Sequence, residues 1–320
     1  MANRIIITAS GGGHTGYALA LAQRLRGRIE IVLVIPEGDR WTKEKVERYG
    51  RVVQVKKARG PRDPLFKAIP GLIKAFAQSL FRIPGNFQAI VCTGSNHSVP
   101  PGYVAKFKGM KVVSIESSVR FTSPSRSIKT LSKISDLLAL QWPEQKEFFP
   151  QGVIVGPLYE LPEYKPKDEG YVLVTGGTYG HRLLFEAVDK LEVEKVVLQT
   201  GRIDPMPFRE RHPDWTVFDF DPDFGKWLAG ASVVVTHFGK TAIDAALTYG
   251  KPVVLVPNPE WRLTASLEDA RMLAEKLNAV LVEEISPSKI QEAIEEAKSK
   301  EPPSYPDGAA KLAELVLELD

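Results

Sequence analysis

The chain has 320 residues, of which 43% are hydrophobic and 25% charged, and this composition excludes an intrinsically disordered protein. A single cysteine, Cys92, excludes a disulfide framework and a cysteine metal cluster, and it is typical of a reducing compartment. The net charge of +3 conceals an asymmetry. Residues 1–150 carry 24 Lys and Arg against 10 Asp and Glu, and residues 151–320 carry 18 against 29. The basic half favours an anionic partner, with uneven solubilising charge as the alternative.

Short apolar runs alternate with helical patterns along the first half, which predicts a parallel sheet covered on both faces. The predicted strands are Arg4–Thr8, Ile31–Ile35, Val52–Val55, Ala89–Cys92, Val112–Ile115, Leu137–Leu140 and Val153–Val155. No run approaches the roughly 18 apolar residues of a membrane span, and the first residues lead directly into a strand. We therefore expect neither a transmembrane helix nor a signal peptide.

The second half repeats this plan after a segment rich in Pro, Gly and charge, residues 156–170, which predicts a linker. The predicted strands are Tyr171–Thr175, Val196–Gln199, Val233–Thr236, Val253–Val256 and Val280–Val282, with helices near 224–229, 241–249, 266–277 and 288–298. We expect two doubly wound α/β domains, residues 1–157 and 158–320, that face each other across a cleft. The last helix, 306–319, is expected to pack back on the first domain. Ligands of such sheets bind at the carboxyl ends of the strands.

Two glycine-rich turns join a strand to a helix, GGGHTG at 11–16 and GGTYG at 176–180. Such turns let backbone N–H groups and the positive end of a helix approach a phosphate. Neither turn fits the dinucleotide pattern G-x-G-x-x-G well. A tight turn that only packs a helix on a sheet is the alternative.

Two further motifs follow in the second half. Gly239-Lys240-Thr241 resembles the end of a phosphate-binding P-loop, but Val234 stands where that loop requires glycine, so we predict only a diphosphate cradle over His237–Thr241. The aspartates of DFDPD, at 219, 221 and 223, have the oxygen ligands that Mg²⁺ prefers. We favour a cap for the helix that begins near Phe224.

Two titratable residues near predicted strand ends are candidates for acid–base chemistry. His14 lies in the first glycine turn, where a side chain with a pKa near neutrality would face the ligand. Glu116 follows the strand 112–115 and is almost the only acid among many basic residues. A structural role is the alternative for each.

The segment 63–87 carries more apolar residues than one buried helix face needs, with lysine and arginine beside them. This composition favours an interfacial membrane anchor, in which each basic residue contributes about 1 kcal/mol at an anionic surface. A core helix with solvated lysines is the alternative. The predicted contacts are Phe66, Lys67, Ile69, Ile73, Lys74 and Phe81.

Several motifs in their order are specific for a known enzyme. SGGGHTG at 10–16, TGSNHSVPPGYVAK at 93–106, VVSIESSVR at 112–120 and the QWP that follows resemble the membrane-recruiting subunit of the eukaryotic UDP-N-acetylglucosamine transferase that adds the second sugar to dolichol-diphosphate-N-acetylglucosamine. VLVTGGT at 172–178, VLQTGR at 197–202 and the stretch 231–258 resemble its catalytic subunit. The chain thus resembles both subunits joined in one polypeptide. The bacterial transferase of lipid-linked peptidoglycan precursors is a more distant relative.

The resemblance implies an inverting glycosyltransferase of the GT-B fold, with two Rossmann-like domains and no metal or other cofactor for the chemistry. The donor is expected to be UDP-N-acetylglucosamine (UDP-GlcNAc). The residues implied for its binding are Gly176, Gly177, Thr178, Gln199, Gly201, Arg202, Phe220, His237, Gly239, Lys240, Thr241, Asp244, Glu268 and Asp269. The acceptor is expected to be a polyprenyl- or dolichol-diphosphate sugar held by Gly11, Gly12, Gly13, Asn96 and Arg120, with His14 as the base and Glu116 as the second candidate.

Two departures from the family pattern concern the donor site. The family motif H-x-G-x-G-x-x-x-E has Thr241 in place of its second glycine and Ala245 in place of its glutamate, which leaves Asp244 as the nearest acid. The Asn-His-Gln cluster of the family corresponds here to residues 268–270, Glu-Asp-Ala, and lacks the glutamine. These departures bear on the ribose contact and on the identity of the donor sugar.

We expect β1-4 transfer of N-acetylglucosamine in the assembly of an N-glycan precursor, at the cytoplasmic face of a membrane and without nucleic acid. Three alternatives remain open at this stage. They are a GT-B enzyme with another UDP-sugar or a soluble acceptor, a UDP-GlcNAc epimerase, and a recruiting scaffold without catalysis. The lipid length and the oligomeric state do not follow from the sequence.

Overall fold

The computed structural model describes residues 4–59, 68–191, 193, 195–261 and 266–319. The chain divides into two compact units. Unit 1 comprises residues 1–160 and 306–320, and unit 2 comprises residues 161–305.

Among these described residues, unit 1 contains a seven-stranded sheet in the order β3-β2-β1-β4-β5-β6-β7, and every neighbouring pair is parallel. The strands are β1 Arg4–Thr8, β2 Glu30–Pro36, β3 Arg51–Val55, β4 Ala89–Cys92, β5 Lys111–Ile115, β6 Leu137–Leu140 and β7 Val153–Ile154. The helices are α1 Gly12–Leu25, α2 Arg40–Val46, α3 Ala68–Arg82, α4 Ser95–Phe107, α5 Arg126–Leu131 and, from the end of the chain, α12 Gly308–Leu317.

The core of unit 1 lies on both faces of this sheet. Ile5 and Ile7 of β1 pack on one face with α1 and α12, and Ile6 packs on the other face with α3 and α4. This alternation follows from the two-residue period of a strand. The helix α12 is tied to α1 by the ion pair between Arg24 and Asp307, whose N and O atoms are 2.9 Å apart.

Unit 2 contains a six-stranded parallel sheet among its described residues, in the order β10-β9-β8-β11-β12-β13. The strands are β8 Tyr171–Thr175, β9 Val196–Gln199, β10 Thr216–Phe218, β11 Ala231–Thr236, β12 Val253–Leu255 and β13 Val280–Leu281. The helices are α6 Arg182–Val188, α7 Met206–Arg211, α8 Gly225–Gly230, α9 Lys240–Ile243, α10 Leu267–Leu277 and α11 Pro287–Ala297.

The predicted α/β fold with two doubly wound sheets is confirmed. In each sheet the strand order reverses at one point, between β1 and β4 in unit 1 and between β8 and β11 in unit 2. The carboxyl ends of the two strands at such a reversal leave a crevice in which α/β proteins bind ligands. The two predicted glycine turns follow β1 and β8, so each lies at the reversal point of its own sheet.

The structure differs from the sequence prediction at several elements. β10 was not predicted, because only Val217 of its three residues is buried and they do not form the continuous apolar run that marks most of the predicted strands. The predicted helix over 241–249 is an α-helix only to Ile243, and a π-helical turn, Asp244–Thr248, follows. The aspartates 221 and 223 precede α8 but do not cap it; Asp221 instead accepts hydrogen bonds from the Asp223 N–H and the Trp227 indole.

Candidate active site

The reversal point of unit 1 brings two helix N-termini together. Gly11 and Gly12 have φ values of 73° and 53° in the turn before α1, and Gly94 has a φ of 101° in the turn before α4. The hydroxyl groups of Ser10 and Ser95 are 2.7 Å apart and join the two turns. Neither helix has a side-chain cap or an acid in its first turn, so both leave their positive ends available to an anion.

His14 lies in the first turn of α1 and is held against the turn before α4. Its Nδ1 atom is 2.7 Å from the Thr93 carbonyl oxygen. A carbonyl only accepts, so Nδ1 carries the proton and Nε2 is the basic atom. Burial lowers the pKa of His14 to about 4, the hydrogen bond to Thr93 opposes this shift, and the charge of Lys57 adds to it. The ring is therefore neutral near pH 7 and can accept a proton.

Gly94 is required where it stands. A Cβ atom at this position would lie 2.9 Å from Cε1 of His14, and its φ disfavours any other residue. The glycine therefore lets the imidazole lie directly against the backbone that orients it.

Glu116, the second candidate base, has a different position. It is buried at the end of β5, and its two carboxylate oxygens accept hydrogen bonds from the backbone N–H groups of Ser117, at 2.6 Å, and Ser125, at 3.1 Å. Burial raises the pKa of this carboxyl, and these hydrogen bonds oppose the shift. The geometry makes Glu116 an anchor for the loop that follows β5.

The two other predicted acceptor residues, Asn96 and Arg120, follow β4 and β5 at the same edge of the sheet. Asn96, in the first turn of α4, donates through Nδ2 to the Arg59 carbonyl oxygen at 2.9 Å, and its Oδ1 is buried with no partner in the described part of the chain. Arg120 lies in the loop that Glu116 holds, and its Nη1 is 3.4 Å from the Ser123 hydroxyl. Parallel strand order places the loops after β1, β4 and β5 at one edge.

The reversal point of unit 2 brings three turns into direct contact. A Cβ on Gly177 would lie 2.8 Å from Cε1 of His237, so the turns after β8 and β11 touch. A Cβ on Gly201 would lie 2.3 Å from the Gly177 carbonyl oxygen, so the turn after β9 joins them. Arg202 N–H donates to the Thr178 carbonyl at 3.0 Å. Most of the predicted donor-site residues thus lie together, namely Gly176, Gly177, Thr178, Gln199, Gly201, Arg202, His237 and Gly239.

Polar groups at this point lack partners. The hydroxyl of Thr236 and Nδ1 of His237 are buried without a hydrogen bond to any residue that the structure describes. Burial lowers the pKa of His237 to about 4, and the nearby His181 adds to the shift. Buried polar atoms are nearly always bonded in a protein, so these two are suited to a bound ligand.

Lys240 and Asp244, one helical turn apart, form an ion pair in this turn. Both side chains are almost wholly buried, at 5% and 9% exposure. The Lys240 ammonium group is therefore paired with the Asp244 carboxylate in this structure. Thr241, the next predicted donor residue, directly follows Lys240 in α9. The ion pair fixes the position of both side chains. Removing either one would leave the charge of the other buried, which is costly.

The remaining predicted donor residues lie after β10, on the loop that carries Phe220, and in the first turn of α10, which follows β12. Phe220 is half-buried, and its N–H donates to Oδ1 of Asp219 at 2.8 Å. Asp269 is fully buried in a capping box with Ser266, which begins α10. Glu268 is exposed and pairs with Arg271 at 3.2 Å, so it is the carboxylate of the two that solvent reaches.

Sequence reasoning missed His181, which directly follows the GGTYG turn. It is buried, caps α6 by accepting the Leu184 N–H at Nδ1, and lies close enough to His237 to lower the pKa of that ring. Burial lowers its own pKa to about 4, opposed by the Val256 and Pro257 backbone. The sequence feature that could have identified His181 is its place directly after a glycine turn, at the start of a helix.

The predicted membrane segment is described from Ala68 onward, and Phe66 and Lys67 lie outside the described residues. On α3, Ile69, Ile73 and Phe81 are 62%, 66% and 85% exposed, and Lys74 is exposed beside them. Phe107, at the end of the neighbouring α4, is 83% exposed and was not predicted. We call the exposed apolar residues of α3 together with Phe107 the α3 patch.

Both halves of the chain match known families. Residues 5–158 match the model described as oligosaccharide biosynthesis protein Alg14 like, and residues 171–317 match the glycosyltransferase family 28 C-terminal domain. A protein of Prochlorococcus marinus (strain NATL1A) is 29% identical over 89% of this chain and 87% of its own length. One of Nitratidesulfovibrio vulgaris (strain Hildenborough) is 27% identical over 88% and 84%. Both are named UDP-N-acetylglucosamine–N-acetylmuramyl-(pentapeptide) pyrophosphoryl-undecaprenol N-acetylglucosamine transferase.

Solved structures share the fold. MurG of Acinetobacter baumannii has a TM-score of 0.63 at 17% identity and covers 99% of both chains. A putative UDP-N-acetylglucosamine 2-epimerase of Listeria monocytogenes has a TM-score of 0.68 at 13% identity, over 99% of this chain and 96% of its own.

The chain is a UDP-sugar glycosyltransferase. It has the GT-B fold and is related to the bacterial precursor enzyme. Within the described part of this glycosyltransferase, no helix combines the length and apolar character of a membrane span. The same residues include no group of three or more His, Cys, Asp or Glu arranged to hold a metal ion.

Proposed function

We propose that this glycosyltransferase moves N-acetylglucosamine from UDP-GlcNAc to the sugar of a lipid-linked diphosphate, with inversion and a β1-4 linkage. One observation carries the proposal. The two halves match an Alg14-like model and a family 28 catalytic model, and relatives named for UDP-GlcNAc and a pyrophosphoryl-undecaprenol acceptor cover nearly the whole chain. The Alg14 likeness favours an acceptor of the dolichol-diphosphate type and a role in N-glycan precursor assembly.

Unit 2 would hold the donor at its reversal point. The backbone N–H groups of the glycine turns, the Thr236 hydroxyl and the His237 ring offer donors and acceptors to a diphosphate. Negative charge develops on UDP as the sugar leaves, and prearranged N–H groups stabilise that charge without reorganisation. Gln199 and Phe220 would contact the nucleoside, and Asp244 the ribose.

Unit 1 would hold the acceptor and activate it. The acceptor 4-hydroxyl oxygen forms a bond to the anomeric carbon of the donor sugar, and its proton passes to Nε2 of His14. The bond between that carbon and the β-phosphate oxygen breaks, and UDP departs with the electron pair. The hydrogen bond from Nδ1 to Thr93 keeps His14 in the tautomer that this step needs.

The α3 patch would seat the enzyme on the cytoplasmic face of a membrane. Its large apolar side chains are exposed, and Lys74 lies beside them. Reversible binding of this kind combines apolar insertion with attraction to anionic lipids. It would bring unit 1 to a lipid-anchored acceptor.

The test is a radiolabel transfer assay with several UDP-sugars and synthetic acceptors. The acceptors are a polyprenyl-diphosphate GlcNAc and a soluble chitobiose-type sugar. Transfer of GlcNAc to the lipid-linked acceptor alone would support the proposal, with the linkage read by glycosidase digestion. Transfer only to the soluble sugar, or conversion of UDP-GlcNAc without an acceptor, would contradict it and favour a soluble-acceptor transferase or an epimerase.

A further inference from the structure

The ends of β1 and β4 are joined by two hydrogen bonds between Thr8 and Thr93. The Thr93 N–H donates to Oγ1 of Thr8 at 3.1 Å, and the Thr93 hydroxyl donates to the Thr8 carbonyl oxygen at 2.7 Å. Both threonines are buried, at 0% and 1% exposure. The carbonyl oxygen of Thr93 is the one that lies 2.7 Å from Nδ1 of His14. Thr8 is therefore bonded directly to the residue that orients the His14 ring.

Ser98 of α4 extends these contacts. Its hydroxyl donates to the Gly94 carbonyl oxygen, and its oxygen lies 2.7 Å from Oγ1 of Thr8. A serine hydroxyl has one hydrogen, so the hydrogen between Ser98 and Thr8 comes from Thr8. The Val91 carbonyl oxygen, at 3.4 Å, is a much longer contact of the same threonine hydroxyl. A directed chain thus runs from the Thr93 N–H through the two hydroxyl groups to the Gly94 carbonyl.

This chain holds the peptide group between Thr93 and Gly94 from both sides. The N–H of Thr93 precedes that peptide group and the carbonyl of Gly94 follows it, and both are bonded. The Thr93 carbonyl oxygen belongs to the peptide group itself, which is planar, so fixing its two flanks fixes the direction of this oxygen. A side chain without a hydroxyl at position 8 would leave the buried Thr93 N–H without its acceptor, which is costly.

The same turn is held in a conformation that side chains disfavour. Gly94 has a φ of 101°, and Ser95, which does carry a side chain, has a φ of 61°. Such a backbone persists where surrounding contacts fix it, and it is found most often at functional sites. The hydroxyl of Ser95, 2.7 Å from that of Ser10, fixes the turn at a second point. The turn is therefore held in the one geometry in which the Thr93 carbonyl reaches His14.

We propose that Thr8 is a positioning residue of the transfer reaction, which fixes the Thr93 carbonyl oxygen and, through it, the tautomer and orientation of the His14 ring. The inference rests on the proposed function, because it takes His14 as the base. A neutral imidazole carries its proton on either nitrogen, and the hydrogen bond at one nitrogen decides which. With the proton on Nδ1, Nε2 can accept the hydrogen of the attacking hydroxyl. With the proton on Nε2, that atom cannot act as the base.

Nitrogen nuclear magnetic resonance of the imidazole rings tests the proposal without turnover, because each tautomer has its own pair of nitrogen shifts and the chain has five histidines. The His14 signals are assigned with His14→Gln. At neutral pH the wild type should show one form of His14, with the proton on Nδ1. Thr8→Val replaces the hydroxyl by a methyl group and should show both forms, and Thr8→Ser should restore the single form. A single Nδ1–H form in Thr8→Val would overturn the inference.

Transfer kinetics give the second readout. Thr8→Val should lower kcat by about 10–100-fold and leave the donor KM unchanged, since a misplacement of about 1 Å at a catalytic group can cost about 100-fold. In a His14→Ala background the same substitution should have almost no further effect, because Thr8 acts through His14. An equal loss of kcat in both backgrounds would show a general structural role and overturn the inference.

Ser98→Ala is a second variant, which decides the test if Thr8→Val does not fold. It removes the last link of the chain and leaves the Thr93 N–H bonded to Thr8. We expect a smaller loss of kcat than in Thr8→Val, and about the same kcat in the double variant Thr8→Val/Ser98→Ala as in Thr8→Val alone. Additive losses, or a Ser98→Ala protein with wild-type kcat and tautomer, would overturn the inference.

Ser114→Ala on β5 is the matched control, because it breaks another hydroxyl–hydroxyl contact of 2.7 Å, to Ser135. It should keep both the His14 tautomer and kcat, and a loss as large as that of Thr8→Val would contradict the assignment. Thermal unfolding shows that each variant is folded. An inactive protein whose His14 tautomer depends on Thr8 would refute only the proposed function. An active transferase whose tautomer and kcat do not respond to Thr8→Val would refute only this inference.

Discussion

The Nδ1 atom of His14 lies 2.7 Å from the carbonyl oxygen of Thr93, two residues that are 79 positions apart in the chain. β1 and β4 are neighbours in the sheet, and this adjacency brings the first turn of α1 to the turn before α4. The contact sets which imidazole nitrogen carries the proton and which one can receive another. The contact favours His14 over Glu116 as the base, because both carboxylate oxygens of Glu116 already accept backbone hydrogen bonds.

We expect His14→Ala to lower kcat by about 10²–10⁴-fold, because a positioned general base contributes a factor of this size. UDP affinity should change little, since the proposed donor site is in unit 2. Transfer kinetics and UDP calorimetry measure the two effects. His212→Ala, at a half-buried pair with Asp189 in unit 2, is the matched control and should keep full activity. Full activity in His14→Ala would remove this residue from the mechanism.

Glu116→Gln should damage the acceptor loop and leave the donor site intact. One backbone N–H, from Ser117 or Ser125, would face an amide NH₂ in place of a carboxylate oxygen and lose its acceptor. We expect the free energy of unfolding to fall by about 1–3 kcal/mol, and the acceptor KM to rise with the donor KM unchanged. Urea unfolding and steady-state kinetics measure these changes. The exposed pair residue Glu30 provides the control Glu30→Gln, and an effect of equal size there would argue against the anchor role.

Lys240→Met should destabilise unit 2 by about 3–5 kcal/mol, because it removes the ammonium group that is paired with the buried Asp244 carboxylate. In Lys240→Met/Asp244→Leu no buried charge remains, so we expect most of the lost stability to return while UDP affinity stays low. Denaturation and UDP calorimetry separate the two. The exposed pair Lys298 and Glu295 is the control. Single and double substitutions there should change the free energy of unfolding almost additively, because an exposed ion pair contributes little. Recovery of UDP binding in the double variant would exclude Asp244 from the ribose site.

Stability should fall as the pH drops below about 6.5, the ordinary pKa of histidine. His97 and His181 are buried, with pKa values lowered to about 3 and about 4, so they stay neutral in the folded chain while the unfolded chain takes up protons. Their stabilisation is complete above pH 6.5 and is lost as the pH falls towards those values. In this range each histidine lowers the free energy of unfolding by up to about 1.4 kcal/mol for every pH unit of acidification. Urea titrations between pH 7 and 4.5 measure it, and an unchanged slope in His97→Gln would contradict the assignment.

Ile73→Glu with Phe81→Glu should abolish flotation with anionic vesicles, because it places charge in the centre of the α3 patch. Transfer to a short-chain acceptor in detergent should persist, since neither residue is in the proposed sites. Leu183→Glu, at an exposed leucine of α6 in unit 2, is the control and should still float. Flotation of the double variant at wild-type levels would place the membrane contact elsewhere.

The local patterns of the chain were sufficient for the fold class and for the two glycine turns that lie at the reversal points of the sheets. Runs such as Ile5–Ile7 and Val233–Val235 are apolar at every position, which only a strand buried on both faces requires. Glycine after such a strand marks a close backbone approach, and both glycine turns do lie at reversal points. β10 escaped prediction because only one of its three residues, Val217, is buried, so it lacks such a run.

What no local pattern carries is the identity of each residue's neighbours. Asp269 and Glu268 look equivalent in the sequence, yet one is buried in a capping box and the other is exposed. Nothing in the sequence links His14 to Thr93, yet the ring of His14 contacts the Thr93 carbonyl because β1 and β4 are neighbours and end at the same edge of one sheet. Helix, strand and turn depend mainly on residues that are close in the chain, so the local sequence pattern is enough to predict them. Charge coupling, tautomer and burial depend on contacts between distant positions, and those exist only once the order of the strands is set.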